Sequence, residues 1–219
     1  MIEIRREHAE KVVELIGHGL VSGLGNPTPG EMCVEAVVCH ALGLPHGDDP
    51  GCVSPSLRRL KIRLNDAPWS SNQARAHGLR RLALAQLGSQ GAIDESVFRQ
   101  RVVEMTIRKV VPVGVRAAAR LNPTHAEALE AAAVRCEQEG TRDAARIAAA
   151  AADGADASAD YAADAAAYGA DAADARTRDR VLAQFAEWVV EILSDLNAPG
   201  CQWLTLAPLT VELEPWIGE

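Results

Sequence analysis

Aromatic residues are scarce in this chain of 219 residues. They make up 4% of it, whereas hydrophobic residues as a whole make up 48%. A core with so few rings must be built from Ala, Leu, Val and Ile. Such a core suits closely packed helices better than a β-sandwich, whose strands favour aromatic and β-branched side chains. The length is enough for one large domain or two small ones.

Long apolar runs are also missing. No stretch approaches the roughly 18 apolar residues of a membrane-spanning helix. The N-terminus, MIEIRREHAEKVVELIGHGL, is charged and amphipathic and lacks the apolar centre of a signal peptide. These features predict a reduced, cytoplasmic protein with free thiols and no membrane contact. The cysteines are odd in number and scattered: Cys33, Cys39, Cys52, Cys136 and Cys201.

Turn-forming residues divide the chain into segments with helical periodicity, and alternating strand patterns are absent outside the C-terminal tail. Ser54 and Pro55 form an N-cap and N1 pair. Pro112 and Gly114 predict a kink or break in a long helix, and Gly140 ends the next one. The predicted helices cover about 3–20, 31–42, 55–64, 72–87, 94–121, 125–139, an Ala-rich stretch from 141, and 176–196.

The sequence therefore predicts an all-α fold: a compact multi-helix bundle with an Ala-rich helical segment and a short irregular C-terminal tail. We expect a single helical domain over residues 1–219. Within it, residues 1–90 form an N-terminal helical part, and residues 91–219 form an Ala-rich bundle.

The Ala-rich segment carries a regular row of acidic residues. Their spacings of 3, 4, 4, 7 and 3 return a 3.6-residue helix to the same face, inside a stripe roughly 80° wide. A row of carboxylates is not buried unpaired. This predicts a helix with a small-residue packing side and an acidic outer face, here called the aspartate stripe: Asp153, Asp156, Asp160, Asp164, Asp171 and Asp174.

The aspartate stripe has more than one interpretation. It is either a solvated face or a binding surface for a basic partner. Tyr161 and Tyr168 flank the stripe and are either core anchors or residues that contact the partner. A calcium site is not favoured because the ligands would sit on one rigid helix. The net charge is −8, with +4 in residues 1–120 and −12 in residues 121–219. That division indicates a basic partner or docking between the halves.

Metal-ligand and nucleophile residue types gather between Cys33 and Cys52. The weak candidate metal ligands are Cys33, His40, His46 and Cys52, but there is no C-x-x-C or H-x-x-x-H spacing. Cys52 with His46 is also a candidate thiol nucleophile pair, which Asp48 or Asp49 would orient. The alternative to a metal site is that the cysteines are core residues. The alternative to a thiol nucleophile pair is that the loop forms a structural Asp-Asp-Pro-Gly turn. We expect no cofactor, and no strong catalytic motif occurs.

Basic residues cluster over two adjacent predicted helices. The cluster could bind nucleic acid, but no aromatic interleaving accompanies it. The alternatives are a face that docks against the acidic half or plain solvation. The run GHGLVSGLG has no preceding strand and no Lys-Ser/Thr, so it does not predict a phosphate loop. The basic cluster consists of Arg58, Arg59, Lys61, Arg63, Arg75, Arg80 and Arg81.

Two stretches resemble a known group of proteins. One is GEMCVEAVVCHALGLPHGDDPGCVSPSLRRLKIRLNDAPWSSNQARAHGLRRLALAQLGS, and the other is RDRVLAQFAEWVVEILSDLNAPGCQWL after the Ala-rich helix; together they cover about 40% of the chain. They resemble immunity proteins, or immunity-protein-like domains, of bacterial polymorphic toxin systems, which are also found in phages. The resemblance implies an all-helical fold and a binding function without catalytic residues.

The leading hypothesis is an immunity-like protein that neutralises a toxin or effector by occlusion through its acidic helical face. The partner would be a protein, such as a basic toxin. The residues expected to bind it are Asp156, Asp160, Asp164, Asp171, Tyr161 and Tyr168. The alternatives are a metal-binding or thiol enzyme that uses the segment from Cys33 to Cys52, and a nucleic-acid-binding protein that uses the basic cluster.

Overall fold

The structure is a computed structural model that describes residues 3–154 and 175–209. Across those residues the chain is helical and contains no β-strand, although Gly25 and Met32 form an isolated antiparallel bridge. The prediction of an all-α fold is confirmed. Part of the predicted irregular tail is a 3₁₀ helix, Pro199–Leu206.

The chain divides into two compact units. Unit 1 consists of Met1–Glu95 together with Ala183–Glu219, and unit 2 is Ser96–Leu182. The predicted sub-parts, 1–90 and 91–219, divide the chain at one point, whereas the C-terminal residues group with the N-terminal ones. The expectation of a single domain stays a prediction.

Unit 1 begins with four helices, and local chemistry explains the starts of the third and the fourth. The Ser54 hydroxyl accepts a hydrogen bond from Leu57 N at 3.5 Å, with Pro55 in the first turn. Ser71 accepts one from Ala74 N at 3.0 Å. Each hydroxyl satisfies an amide that the helix itself leaves unbonded. The helices are α1 (Arg6–Gly17), α2 (Val34–Ala41), α3 (Pro55–Asp66) and α4 (Asn72–Ala85).

Helix α2 begins three residues later than the predicted start at Glu31. The backbone of Glu31 and Met32 is bonded elsewhere: Asn26 N donates to Glu31 O at 2.7 Å, and Val21 N donates to Met32 O at 3.0 Å. Gly25 makes this close approach possible because an added Cβ would lie 1.9 Å from Glu31 O. Cys33 then caps α2, its sulfur accepting from Ala36 N at 3.4 Å.

The core of unit 1 is aliphatic. Helix α1 packs against α2, α4 and the 3₁₀ helix, and α2 also packs against α3. Each fully buried Leu contributes about 1.5–3 kcal/mol of transfer free energy. Unit 1 includes these fully buried leucines: Leu15, Leu20, Leu57, Leu79, Leu82, Leu84 and Leu87.

Unit 2 contains the interruption predicted near Pro112. A π-helical turn, Thr106–Val110, joins the helix that ends at Met105 to the helix that begins at Val111, and Pro112 lies in the first turn of the second helix. Proline has no N–H for the preceding turn and its ring crowds that backbone, so a wider turn accommodates it. The helices are α5 (Glu95–Met105), α6 (Val111–Leu121), α7 (Ala126–Glu139) and α8 (Arg142–Gly154).

The end of α7 is fixed twice. Gly140 adopts φ +64° and donates its N–H to Cys136 O at 3.0 Å, which confirms the predicted glycine stop. The guanidinium of Arg108 donates to the last three carbonyls, those of Glu137, Gln138 and Glu139, at 2.6, 2.7 and 3.0 Å. A cation at a helix C-terminus also complements the helix dipole.

Small and aliphatic side chains form the core of unit 2, as the shortage of aromatics predicts. Their small size brings α6, α7 and α8 close together. The last long helix is α9 (Ala175–Asp195), which contains the boundary between the units. The core cluster of unit 2 consists of Ile107, Val111, Val115, Leu129, Ala132, Ala133, Cys136, Ala144 and Ala148.

Candidate functional site

The predicted partner-binding residues lie outside the part of the chain that the structure describes. They are Asp156, Asp160, Asp164, Asp171, Tyr161 and Tyr168, all between residues 154 and 175. Their assignment to a binding face stays a prediction from sequence spacing.

The segment from Cys33 to Cys52 separates its thiols from its imidazoles. Cys33 and Cys52 are buried, whereas His40 and His46 are exposed. His46 Nε2 donates to Gly25 O at 3.0 Å, so this ring ties its loop to the preceding one. Among the described residues, no group of three His, Cys, Asp or Glu side chains is placed to hold a metal ion.

Burial makes the thiols of this segment poor nucleophiles. It raises the pKa of Cys33 and of Cys52, and it raises the pKa of Cys39 to about 11, with the charge of Glu35 adding to the effect. The thiolate is the reactive form, and a catalytic cysteine has a lowered pKa. These cysteines therefore have the properties of core residues.

The two aspartates of the segment are used in the loop. Arg58 Nη2 donates to Asp48 Oδ1 at 2.9 Å, and its Nη1 donates to Asp49 Oδ2 at 3.3 Å. Asp49 Oδ1 also accepts from Gly51 N at 3.2 Å, as in an Asp-Asp-Pro-Gly turn. The loop carboxylates thus bind the guanidinium of Arg58 and stabilise the turn in which they lie.

The basic cluster does not form one open cationic face. Arg58 pairs with the loop aspartates, and Lys61 is fully buried. Arg75 is buried and donates to the carbonyls of Asn65 and Leu20 at 2.7 and 3.0 Å. Phosphate binding needs cations that reach the surface, and of these seven side chains those of Arg59 and Arg63 are exposed.

Arg81 reaches the C-terminal part of unit 1. Its Nε donates to Glu187 Oε2 at 2.9 Å, and its Nη1 donates to Ala207 O at 2.8 Å. Burial raises the pKa of Glu187, and the guanidinium beside it opposes that rise. This contact is one ion pair between the basic cluster and the acidic half of the chain. Docking of the cluster against that half was one of the alternatives to nucleic-acid binding.

A buried ion pair in unit 1 was missed by the sequence analysis. Lys61 Nζ of α3 lies 3.1 Å from Glu35 Oε1 of α2, and both side chains are 0% exposed. Within the part of the chain that the structure describes, neither group has a hydrogen-bond partner besides the other. Burial raises the pKa of Glu35 and lowers the pKa of Lys61.

The sequence did contain a signal for this pair. Glu35 is the one acidic residue in the otherwise largely apolar helix VEAVVCHA, where a carboxylate has little access to water. Lys61, by contrast, stands among other basic residues in RRLKIRL and shares their appearance of a solvated cation. The pairing of the two across 26 positions depends on how α2 packs on α3.

Comparison with known proteins finds no relative of this chain. No protein-family model, no curated protein and no solved structure matches the chain. The resemblance to immunity proteins therefore stays a prediction. In the part of the chain that the structure describes, no helix is long and apolar enough to cross a membrane.

Proposed function

We propose that this protein is an immunity-like binding protein that occludes a basic protein partner, such as a cytoplasmic toxin or effector. The observation that carries the proposal is the aspartate stripe: six carboxylates at spacings of 3, 4, 4, 7 and 3 in a segment otherwise made mostly of alanine. In a helix, such spacing would bring the carboxylates to one face, where they would act as a single charged surface.

The chemistry of the described residues supports a binding function over the two alternatives. The thiols between Cys33 and Cys52 have raised pKa values, which disfavours a thiol nucleophile. Most of the basic cluster binds other groups within unit 1, which disfavours a nucleic-acid face. Residues 121–219 carry a formal net charge of −12.

The proposed contact is electrostatic, and it determines how binding responds to salt. Opposite charges steer a partner toward the face and fix its orientation, while salt screens them. Tyr161 and Tyr168, seven residues apart in sequence, would supply apolar contact area beside the carboxylates. We therefore expect the complex to form at low salt and to weaken strongly at about 1 M, where the Debye length is about 3 Å.

Affinity capture from the host tests the proposal. Tagged full-length protein, wild type and carrying Asp160→Lys, Asp164→Lys and Asp171→Lys together, is incubated with host lysate at low and at high salt. The matched control carries Glu10→Lys, Glu14→Lys and Glu127→Lys, which makes the same charge change at exposed positions elsewhere. Bound proteins are identified by mass spectrometry.

The expected result is one basic protein that the wild type and the control retain at low salt and that the stripe variant loses. Circular dichroism establishes that all three proteins are folded. Equal retention by the stripe variant and the control would contradict the proposal, because the stripe would then be only a solubilising face.

A further inference from the structure

We draw no further inference here: the strongest candidate, the partly exposed apolar surface of the 3₁₀ helix Pro199–Leu206, where the buried indole N–H of Trp203 has no hydrogen-bond partner among the described residues, carries nothing because nothing in the structure shows what covers it.

Discussion

Lys61 Nζ and Glu35 Oε1 lie 3.1 Å apart inside unit 1, and neither side chain has any contact with solvent. The pair joins α2 to α3, and among the residues that the structure describes no further hydrogen bond supplements it. Removing one partner of a buried pair costs about 3–5 kcal/mol, whereas replacing both by apolar groups is often neutral or stabilising.

Lys61→Met should therefore lower the free energy of unfolding by about 3–5 kcal/mol, because Glu35 is left buried and unpaired. The double variant Glu35→Leu/Lys61→Met should cost much less than this. Urea denaturation of the wild type, the single variants and the double variant gives the coupling energy. Additive losses in the double variant would show that the two side chains do not act as a pair.

The raised pKa of Cys39 should make the free energy of unfolding depend on pH in alkaline solution. Burial, followed by the charge of Glu35, raises its pKa from 9.0 to about 11. Between these values the unfolded chain loses the thiol proton first, so the folded state binds more protons and stability falls as pH rises. Well below pH 9 the thiol is protonated in both states and contributes no pH dependence.

Wild type should therefore lose stability between pH 9 and 11 relative to Cys39→Ala, which has no thiol to titrate. Urea unfolding under reducing conditions at pH 8, 9.5 and 10.5 measures the difference between the two proteins. Parallel curves across this range would show that Cys39 titrates as an ordinary thiol.

Two glycines in the loop after α1 provide a matched comparison. Gly23 and Gly25 have φ of +69° and +72°, so alanine at either position has the same left-handed backbone cost of about 1–2 kcal/mol. At Gly23 an added Cβ meets nothing within 4 Å, but at Gly25 it would lie 1.9 Å from Glu31 O.

Gly25→Ala should therefore destabilise the protein by clearly more than Gly23→Ala, and thermal unfolding of both variants measures the difference. The steric clash also opposes the bridge between Gly25 and Met32. Equal Tm values would mean that the loop relaxes without cost.

Two arginines of unit 2 make different contacts, and replacing each one measures how much those contacts stabilise the unit. Arg108 donates to three carbonyls at the end of α7, whereas Arg146 pairs with Asp143 where both side chains are 77% exposed. Arg108→Met should lower the unfolding free energy by about 1–2 kcal/mol through loss of these hydrogen bonds. Arg146→Met should change it by less than about 0.5 kcal/mol. Similar losses by chemical denaturation would contradict the capping role of Arg108.

Local chemistry made much of the fold predictable. Ser54 with Pro55 marked the start of α3, Gly140 marked the end of α7, and the shortage of aromatics predicted aliphatic cores. These signals act within a few residues, so a single sequence contains them. The late start of α2 depended instead on hydrogen bonds from Val21 and Asn26, which lie in the preceding loop.

Long-range pairing limited what could be predicted of the site. The basic cluster had the composition of an exposed cationic face, yet both Lys61 and Arg75 are buried. Lys61 pairs with Glu35 of α2, and Arg75 donates to the carbonyls of Asn65 in α3 and of Leu20 in the loop after α1. Residue type does not reveal such partners, because they meet only after the helices have packed.

The central claim is that the aspartate stripe binds a basic partner, and the most direct measurement is the affinity of the purified partner for three proteins. They are the wild type, the variant with Lys at residues 160, 164 and 171, and the control with Lys at residues 10, 14 and 127. Isothermal titration at two ionic strengths gives each Kd. The account predicts that Kd rises at least about a hundredfold in the stripe variant, as expected from the loss of several charge pairs at a steered interface. The control should match the wild type, and salt should weaken both. A stripe variant that binds as tightly as the control would contradict the account.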